Sequence, residues 1–141
     1  MRFGPRAKLL KTSVIGTQSN HTTPNRQVKK LQRKYHSVLD VGCGCGRHLI
    51  FPVSVGLDMD ERILHKAREK GMCLYADGQN LPIRKDTFDL TLLCYSLEYM
   101  KNPEKAKEEA KMVSKDIFVL TMPSSKYTWD KVHPEVKNED T

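Results

Sequence analysis

Three segments bearing acids and glycines recur along this chain, each directly after an apolar run. The first is Asp40-Val41-Gly42-Cys43-Gly44-Cys45-Gly46, the second is Asp58, and the third is Asp77-Gly78. Alternating glycines let the main chain turn sharply and let a ligand approach it with no Cβ between. The backbone amides of such a turn can face a carboxylate. An acid at the second position can accept both hydroxyls of a ribose diol. An acid at the third can accept from an adenine amino group, while the adjacent N–H donates to a ring nitrogen. Each feature also has a purely structural reading: a tight turn, a helix-capping acid before Asp60 and Glu61, and an Asp-Gly turn. Their recurrence at successive run ends favours a bound ligand. A dinucleotide fingerprint, G-x-G-x-x-G, is not met, because the third glycine comes one residue early and Arg47 takes its place. A phosphate-gripping loop would need Lys followed by Ser or Thr, which is also absent.

These segments must be held by regular elements, and the hydropathy pattern supplies them. Ser37 to Val41, Val53 to Leu57, Met72 to Ala76, Phe88 to Cys94 and Ile117 to Met122 read as strands. Phe88 to Cys94 is nearly continuous in apolar residues, as a central parallel strand should be. Asp60 to Lys70 reads as a helix with Gly71 as its stop, and Pro103 to Val113 as another, with Ala106, Ala110 and Val113 inward. Thr22, Thr23 and Pro24 read as the start of an earlier helix, with Val28, Leu31 and Tyr35 on one face. Before it, only Thr12 to Ile15 looks strand-like. Strands alternating with helices imply a parallel sheet covered on both faces. Ligands of such sheets bind at the carboxyl ends of the strands, where the three segments lie.

The 141 residues suit one domain with a core of its own. Residues 1–36 form a basic arm and helix, 37–123 the core, and 124–141 a polar tail. No apolar run is long enough to cross a bilayer, and the basic N-terminus lacks the apolar stretch of a secretory signal. The net charge of +7 is unevenly placed: residues 1–39 carry nine Lys or Arg and no acid, whereas the remainder sums to −2. A one-sign block favours an anionic partner, nucleic acid first, or serves as a solubilising tail. Cys43, Cys45, Cys73 and Cys94 include no C-x-x-C pair, which fits reduced thiols in a cytoplasmic protein. The five histidines are scattered and Cys43-x-Cys45 alone is not a zinc signature, so no metal is expected.

The order of these motifs resembles the class I methyltransferases. Val38 to Gly46 looks like their motif I, and Gly56-Leu57-Asp58-Met59-Asp60 like the ribose-binding motif that follows. Asp77-Gly78-Gln79-Asn80-Leu81-Pro82-Ile83 and Thr87-Phe88-Asp89-Leu90 are similar to stretches of the type-11 subgroup. Ser96-Leu97-Glu98-Tyr99-Met100 is similar to another, with Tyr99 where His is usual. Within the subgroup, Arg68-Glu69-Lys70-Gly71 and Leu81-Pro82-Ile83-Arg84 look closest to wobble-uridine tRNA methyltransferases, while ubiquinone-biosynthesis methyltransferases share the core pattern. The resemblance implies a Rossmann-like α/β fold with S-adenosylmethionine as cofactor. Asp40, Gly42, Gly44 and Gly46 would line its methionine end. Asp58 would hold the ribose, Met59 would lie against the adenine, and Asp77 and Gly78 would fix the adenine edge. The backbone of Cys94 and the side chains of Tyr95 and Ser96 would face the sulfonium and the acceptor. If a base is needed, Glu98 and Tyr99 are nearest, with His48 behind them; solvated or packing roles are the alternatives for Glu98, Tyr95 and Tyr99.

Three departures from the family pattern carry expectations of their own. Only Arg47 to Pro52 join the first two strands; an extended path of six residues spans about 20 Å, so this crossover is a stub without a full helix. The loop at Ser114-Lys115 lacks the usual Pro-Gly-Gly run. The chain also ends where the family adds a helix and an antiparallel strand pair. The sheet is therefore expected to have about five strands, truncated at its C-terminal end. Its last strand would be an edge unless the N-terminal arm or a second copy in a homodimer covers it. RNA, tRNA in particular, is slightly favoured as acceptor. A small-molecule acceptor, or a binding module without turnover, are the alternatives.

Overall fold

The computed structural model describes residues 8–14 and 22–122. Its strands are β1 (Lys8–Val14), β2 (Ser37–Val41), β3 (Val53–Asp58), β4 (Met72–Tyr75), β5 (Phe88–Cys94) and β6 (Ser114–Thr121). Its helices are α1 (Arg26–Lys30), α2 (Glu61–Ala67) and α3 (Pro103–Val113), with short 3-10 turns at Leu31–Arg33 and Leu97–Tyr99. All strand pairs are parallel, in the order β1-β6-β5-β2-β3-β4. The strand order reverses between β2 and β5, and a doubly wound sheet opens a crevice at such a switch point.

Alternation along the strands sorts side chains to two faces. Leu39 and Val41 of β2, with Leu93, Ile117 and Val119, pack beneath Ala106, Ala110 and Val113 of α3. Val38, Leu90, Leu92 and Phe118 face the other way, against Val28 of α1. Leu64 and Ala67 of α2 cover Cys43 and Leu49 on that same side. Fully burying each such leucine contributes roughly 1.5–3 kcal/mol. The helix starts are fixed locally. Asp60 caps α2 by accepting from Arg62 N at 3.0 Å, and Asn102 caps α3 by accepting from Lys105 N at 3.1 Å, with Pro103 in the first turn.

The five expected strands are present, and a sixth joins them. β1 lies parallel along β6, pairing Lys8 with Asp116 and Val14 with Thr121, with one irregularity between Leu9 and Lys11. The N-terminal arm, one of the two covers expected for the edge of the last strand, thus lies along it. The strand is longer than the sequence pattern indicates because the backbone of β6 supplies the template. Ile15 lies outside the described residues, as does the tail beyond Met122. The first helix starts later than expected, at Arg26, with Asn25 and not Thr22 or Thr23 as its cap: Asn25 Oδ1 accepts from Gln27 N at 2.8 Å. The last strand begins at Ser114, three residues early, directly from α3. Between Gly42 and Pro52 there is no helix, as the spacing demands. No described helix is long and apolar enough to cross a membrane.

Candidate active site

The loops at the carboxyl ends of β2, β3, β4 and β5 enclose two adjoining cavities. One, of about 550 Å³, is lined by Asp58, Met59, Asp77, Gly78, Ser96 and Met100 among others. The second, of about 400 Å³, is lined by Asp40, Gly44, Arg47, His48, Cys94 and Met122 among others. Gly42, Tyr95 and Tyr99 border both. Asp40, Asp58 and Asp77, which begin on three different strands or loops, therefore border one two-lobed cleft at the switch point.

Asp58 ends β3 and holds two loops at once. Its Oδ2 accepts from Gly44 N and its Oδ1 from Asp60 N, both at 3.0 Å. Each carboxylate oxygen keeps a second lone-pair direction, so a diol can still be accepted. Asp77 takes Gln79 N at 2.9 Å and Gln79 Nε2 at 3.1 Å on Oδ1. Around them Met59, Ile63, Ala76 and Met100 supply apolar walls suited to a flat aromatic ring.

The glycine turn behaves differently from its expected role as an anion cradle. Gly42 N and Cys43 N both donate to Leu57 O, at 2.7 and 3.0 Å, and Gly46 N donates to Cys43 O at 3.0 Å. With Gly44 N committed to Asp58, four amides of the turn are already used. Gly42, Gly44 and Gly46 all take positive φ, which explains their residue type. A Cβ on Gly44 would meet nothing within 4 Å, so that residue opens onto the second lobe. Gly46 lines neither lobe; a Cβ there would lie 3.3 Å from Ala67 Cα, so its place is to let α2 pack against the turn.

Burial sets the electrostatics of the second lobe. Asp40 is 2% exposed, and burial pushes its carboxyl up to about 7, opposed by nearby Arg47 and assisted by Asp58. His48 is pushed down to about 3 by burial and then by Arg47. Its Nε2 accepts from Asn25 N at 3.0 Å, so the ring is neutral with its lone pair engaged, which removes it as a base. Tyr95 has φ 58°, a conformation costly for a residue with a large side chain, and its N–H donates to Leu120 O at 2.8 Å. The Arg47 guanidinium carbon stands 5.8 Å from the Tyr95 ring centroid, within cation–π range. Burial, first of its causes, raises the Tyr95 phenol, so it stays protonated at neutral pH.

Glu98 is neither solvated nor on the cleft wall. It is buried in the 3-10 turn, and its Oε2 accepts from Met122 N at 2.6 Å, tying that turn to the exit of β6. Burial raises its carboxyl above the usual range. Tyr99, 51% exposed, and buried Tyr95 both face the junction of the lobes. Cys94 lines the second lobe with its thiol raised by burial, an inert setting for a cysteine. Arg47, Gln79 and Met100 are site residues that the sequence does not single out. Gln79 has no chemical signature of its own, yet its side chain bridges Asp77 to Asn102 N at 2.6 Å. Arg47 shows in the sequence only as the residue displacing a glycine.

Comparison with known proteins follows the same outline. The profile of a family described as methyltransferase domain, type 11, matches residues 39–117. An uncharacterized protein of Methanocaldococcus jannaschii, MJ1123, is 35% identical over 79 residues, covering 55% of this chain and 38% of that protein. Among solved structures, an S-adenosylmethionine-dependent methyltransferase of Thermotoga maritima, described as a possible histamine N-methyltransferase, is 28% identical. It superposes with a TM-score of 0.58 over 65% of this chain and 46% of that one. The PH0226 protein of Pyrococcus horikoshii is 26% identical, with a TM-score of 0.53 over 70% of this chain and 50% of that one. The chain spans 38% and 40% of the length of the curated relatives it matches.

Proposed function

The chain belongs to the type-11 methyltransferase domain family, and from that premise we propose that it binds S-adenosylmethionine across the two lobes and transfers the methyl group to an acceptor. The observation that carries this reading is the meeting of Asp40, Asp58 and Asp77 on one cleft at the switch point. The residues suit the cofactor. Asp58 keeps lone pairs for a ribose diol, and Met59, Ile63 and Met100 offer apolar surface for adenine. The Ser96 hydroxyl, buried without a partner, borders the first lobe as a ready donor or acceptor. Asp40 is a buried acid whose charged form needs a cation beside it.

When bound, the sulfonium supplies an already activated methyl group. The protein's task is then to hold and align. Positioning of this kind can lower a barrier by roughly 7–11 kcal/mol in favourable cases. Gly42, Tyr95 and Tyr99, at the junction, would set the angle of approach, and Cys94 would close the floor. Glu98 acts through Met122 and is a positioning residue. Calorimetric titration with S-adenosylmethionine, followed by incubation with methyl-labelled cofactor and fractionated cell extract, tests the reading. Absence of binding would overturn it.

RNA is the acceptor class we favour. Arg26, Lys29, Lys30 and Arg33 line one open groove with Gln32, a stretch without acids. The same helix is tied at Asn25 to His48 of the second lobe, which brings the basic surface beside the cleft. Neutralised phosphates give binding a steep salt dependence, with a slope of about 0.7 per phosphate for single strands. Reversing Lys29 and Lys30 to Glu should weaken RNA binding and flatten that slope. Unchanged binding, with label entering only small molecules, would favour a metabolite acceptor.

A further inference from the structure

Two cysteines to which the methyl transfer above gives no part meet beside the cleft. Cys43 sits in the glycine turn after β2, and Cys73 on β4 pairs in register with Gly56 of β3. A Cβ built on Gly56 would lie 2.7 Å from Cys43 Sγ and 3.4 Å from Cys73 Sγ, so the two sulfurs share the space that this glycine leaves open. The thiols are side-chain hydrogen-bond partners of each other. Their other neighbours are apolar: Cys43 clusters with Leu49, Leu64 and Ala67, and Cys73 packs against the same cluster.

The pair is unequal. Cys43 is buried and Cys73 only partly so. Burial raises both thiols. Against it, the hydrogen bond from Cys43 and the charge of Arg68 draw Cys73 down, whereas Asp40, Cys73 and Asp58 push Cys43 further up. Cys73 is thus the thiol that meets an oxidant first, with Cys43 in place to resolve it. A disulfide holds its sulfurs about 2.05 Å apart, closer than any non-bonded contact, so closing it draws the turn and β4 together. Cys43 stands between Gly42 and Gly44. Its N–H and that of Gly42 donate to Leu57 O, and Gly44 N–H donates to Asp58 Oδ2. A shift of Cys43 therefore bears on the bond that orients Asp58.

We propose that Cys43 and Cys73 form an oxidisable pair whose disulfide ties the glycine turn to β4 and weakens cofactor binding. The effect on binding rests on the cofactor reading above; the cross-link itself does not. The oxidant is a peroxide. The Cys73 thiolate attacks one peroxide oxygen, the O–O bond breaks, and the leaving hydroxide takes the Cys73 thiol proton as water. The Cys43 sulfur then attacks the Cys73 sulfenic acid at sulfur. The S–O bond breaks, and the departing hydroxide takes the Cys43 thiol proton as a second water. Two thiols have lost two electrons, and one peroxide has gained them.

The test treats the reduced full chain with hydrogen peroxide, then alkylates it and digests it with trypsin. Peptides 35–47 and 71–84 should emerge joined, and dithiothreitol should separate them. Cys45→Ser should still form the cross-link, which assigns it to Cys43, and Cys73→Ser should not. In calorimetry the oxidised parent should bind S-adenosylhomocysteine about 10- to 100-fold more weakly than the reduced parent, the range for loss of one charge-assisted hydrogen bond. Dithiothreitol should restore the affinity. Cys73→Ser should bind alike before and after peroxide, which sets aside methionine oxidation. No linkage, or linkage through Cys45 or Cys94, would overturn the pairing. A Cys43–Cys73 linkage with unaltered S-adenosylhomocysteine affinity would overturn its effect on the cleft. If the reduced parent binds no S-adenosylhomocysteine, the cofactor reading fails and the effect on binding goes with it, while peptide mapping still decides the pair.

Discussion

Asp40→Asn should make the free protein more stable at neutral pH while impairing ligand binding. In the folded chain the Asp40 carboxyl is pushed from 3.8 up to about 7, mainly by burial. A tenfold change in proton affinity is worth about 1.4 kcal/mol, so ionising this group inside the fold costs up to about 4 kcal/mol. The raised value means that the folded state holds a proton which the unfolded state has already released. Stability therefore falls as pH rises from about 4 to about 7, at up to about 1.4 kcal/mol per pH unit from this group alone. Above pH 7 the full penalty is present, and below pH 4 it vanishes. An amide of nearly the same shape carries no such charge, so the variant should lack this component of the slope. Urea unfolding of both proteins at half-unit steps from pH 4.5 to 8 measures it, because other titrating groups cancel in the difference. The variant should gain on the parent by about 2–4 kcal/mol over that range, the lower figure allowing for relaxation around the charge. Calorimetry should show the opposite trend for S-adenosylhomocysteine, with affinity reduced in the variant. Parallel pH profiles for the two proteins would refute the account of a buried, unwilling anion.

Four further outcomes follow from the same geometry. Gly42→Ala puts a Cβ 2.6 Å from Ser96 Cβ at φ +75°, and should cost about 1–3 kcal/mol in chemical unfolding; an undiminished midpoint would show that the junction is looser than described. His48 should remain neutral from pH 5 to 8 in a histidine-resolved NMR titration, since burial holds it near 3 and Nε2 is engaged. Its contribution to stability is then complete above pH 6.5 and is lost as pH falls toward 3, so a ring signal titrating near 6.5 would contradict the bond to Asn25. Asp58→Ala removes both the diol acceptor and the anchor of Gly44 N, so it should abolish 5′-methylthioadenosine binding in calorimetry, and binding at the parent's level would refute that role. Removing residues 1–14 bares β6 and should produce concentration-dependent association in light scattering; a monodisperse, equally stable product would deny β1 its protective role.

How far the fold can be read in advance depends on where the determining forces lie. β5 and α3 have the expected bounds because burial on both faces, a capping Asn and a proline are all local in sequence. The start of α1 is hard to place because three cap-type residues stand close together. The choice of Asn25 also involves its amide bond to His48, a contact across 23 positions. β1 is hardly legible, because its pattern is ambiguous and its partner lies at the far end of the chain. In the cleft, Asp58 and Asp77 stand where spacing after the strands puts them. The commitment of the glycine-turn amides is invisible in the sequence, since it depends on Leu57 O reaching Gly42 N through the β2–β3 register. Glu98 reads as a base candidate or a solvated residue, and its bond to Met122 N, 24 positions on, is not visible in the local sequence.

The pairing of β1 with β6 has a bearing on how this molecule comes into being. Lys8 meets Asp116, 108 positions further on, so the sheet's outermost seam joins two segments far apart along the chain. Contacts so distant along the chain form slowly, because a large loop must close before they yield any free energy. During translation β1 must wait without its ladder until β6 has left the ribosome. The interval between the emergence of Val14 and that of Thr121 is therefore the window in which a chaperone or an RNA could hold that segment.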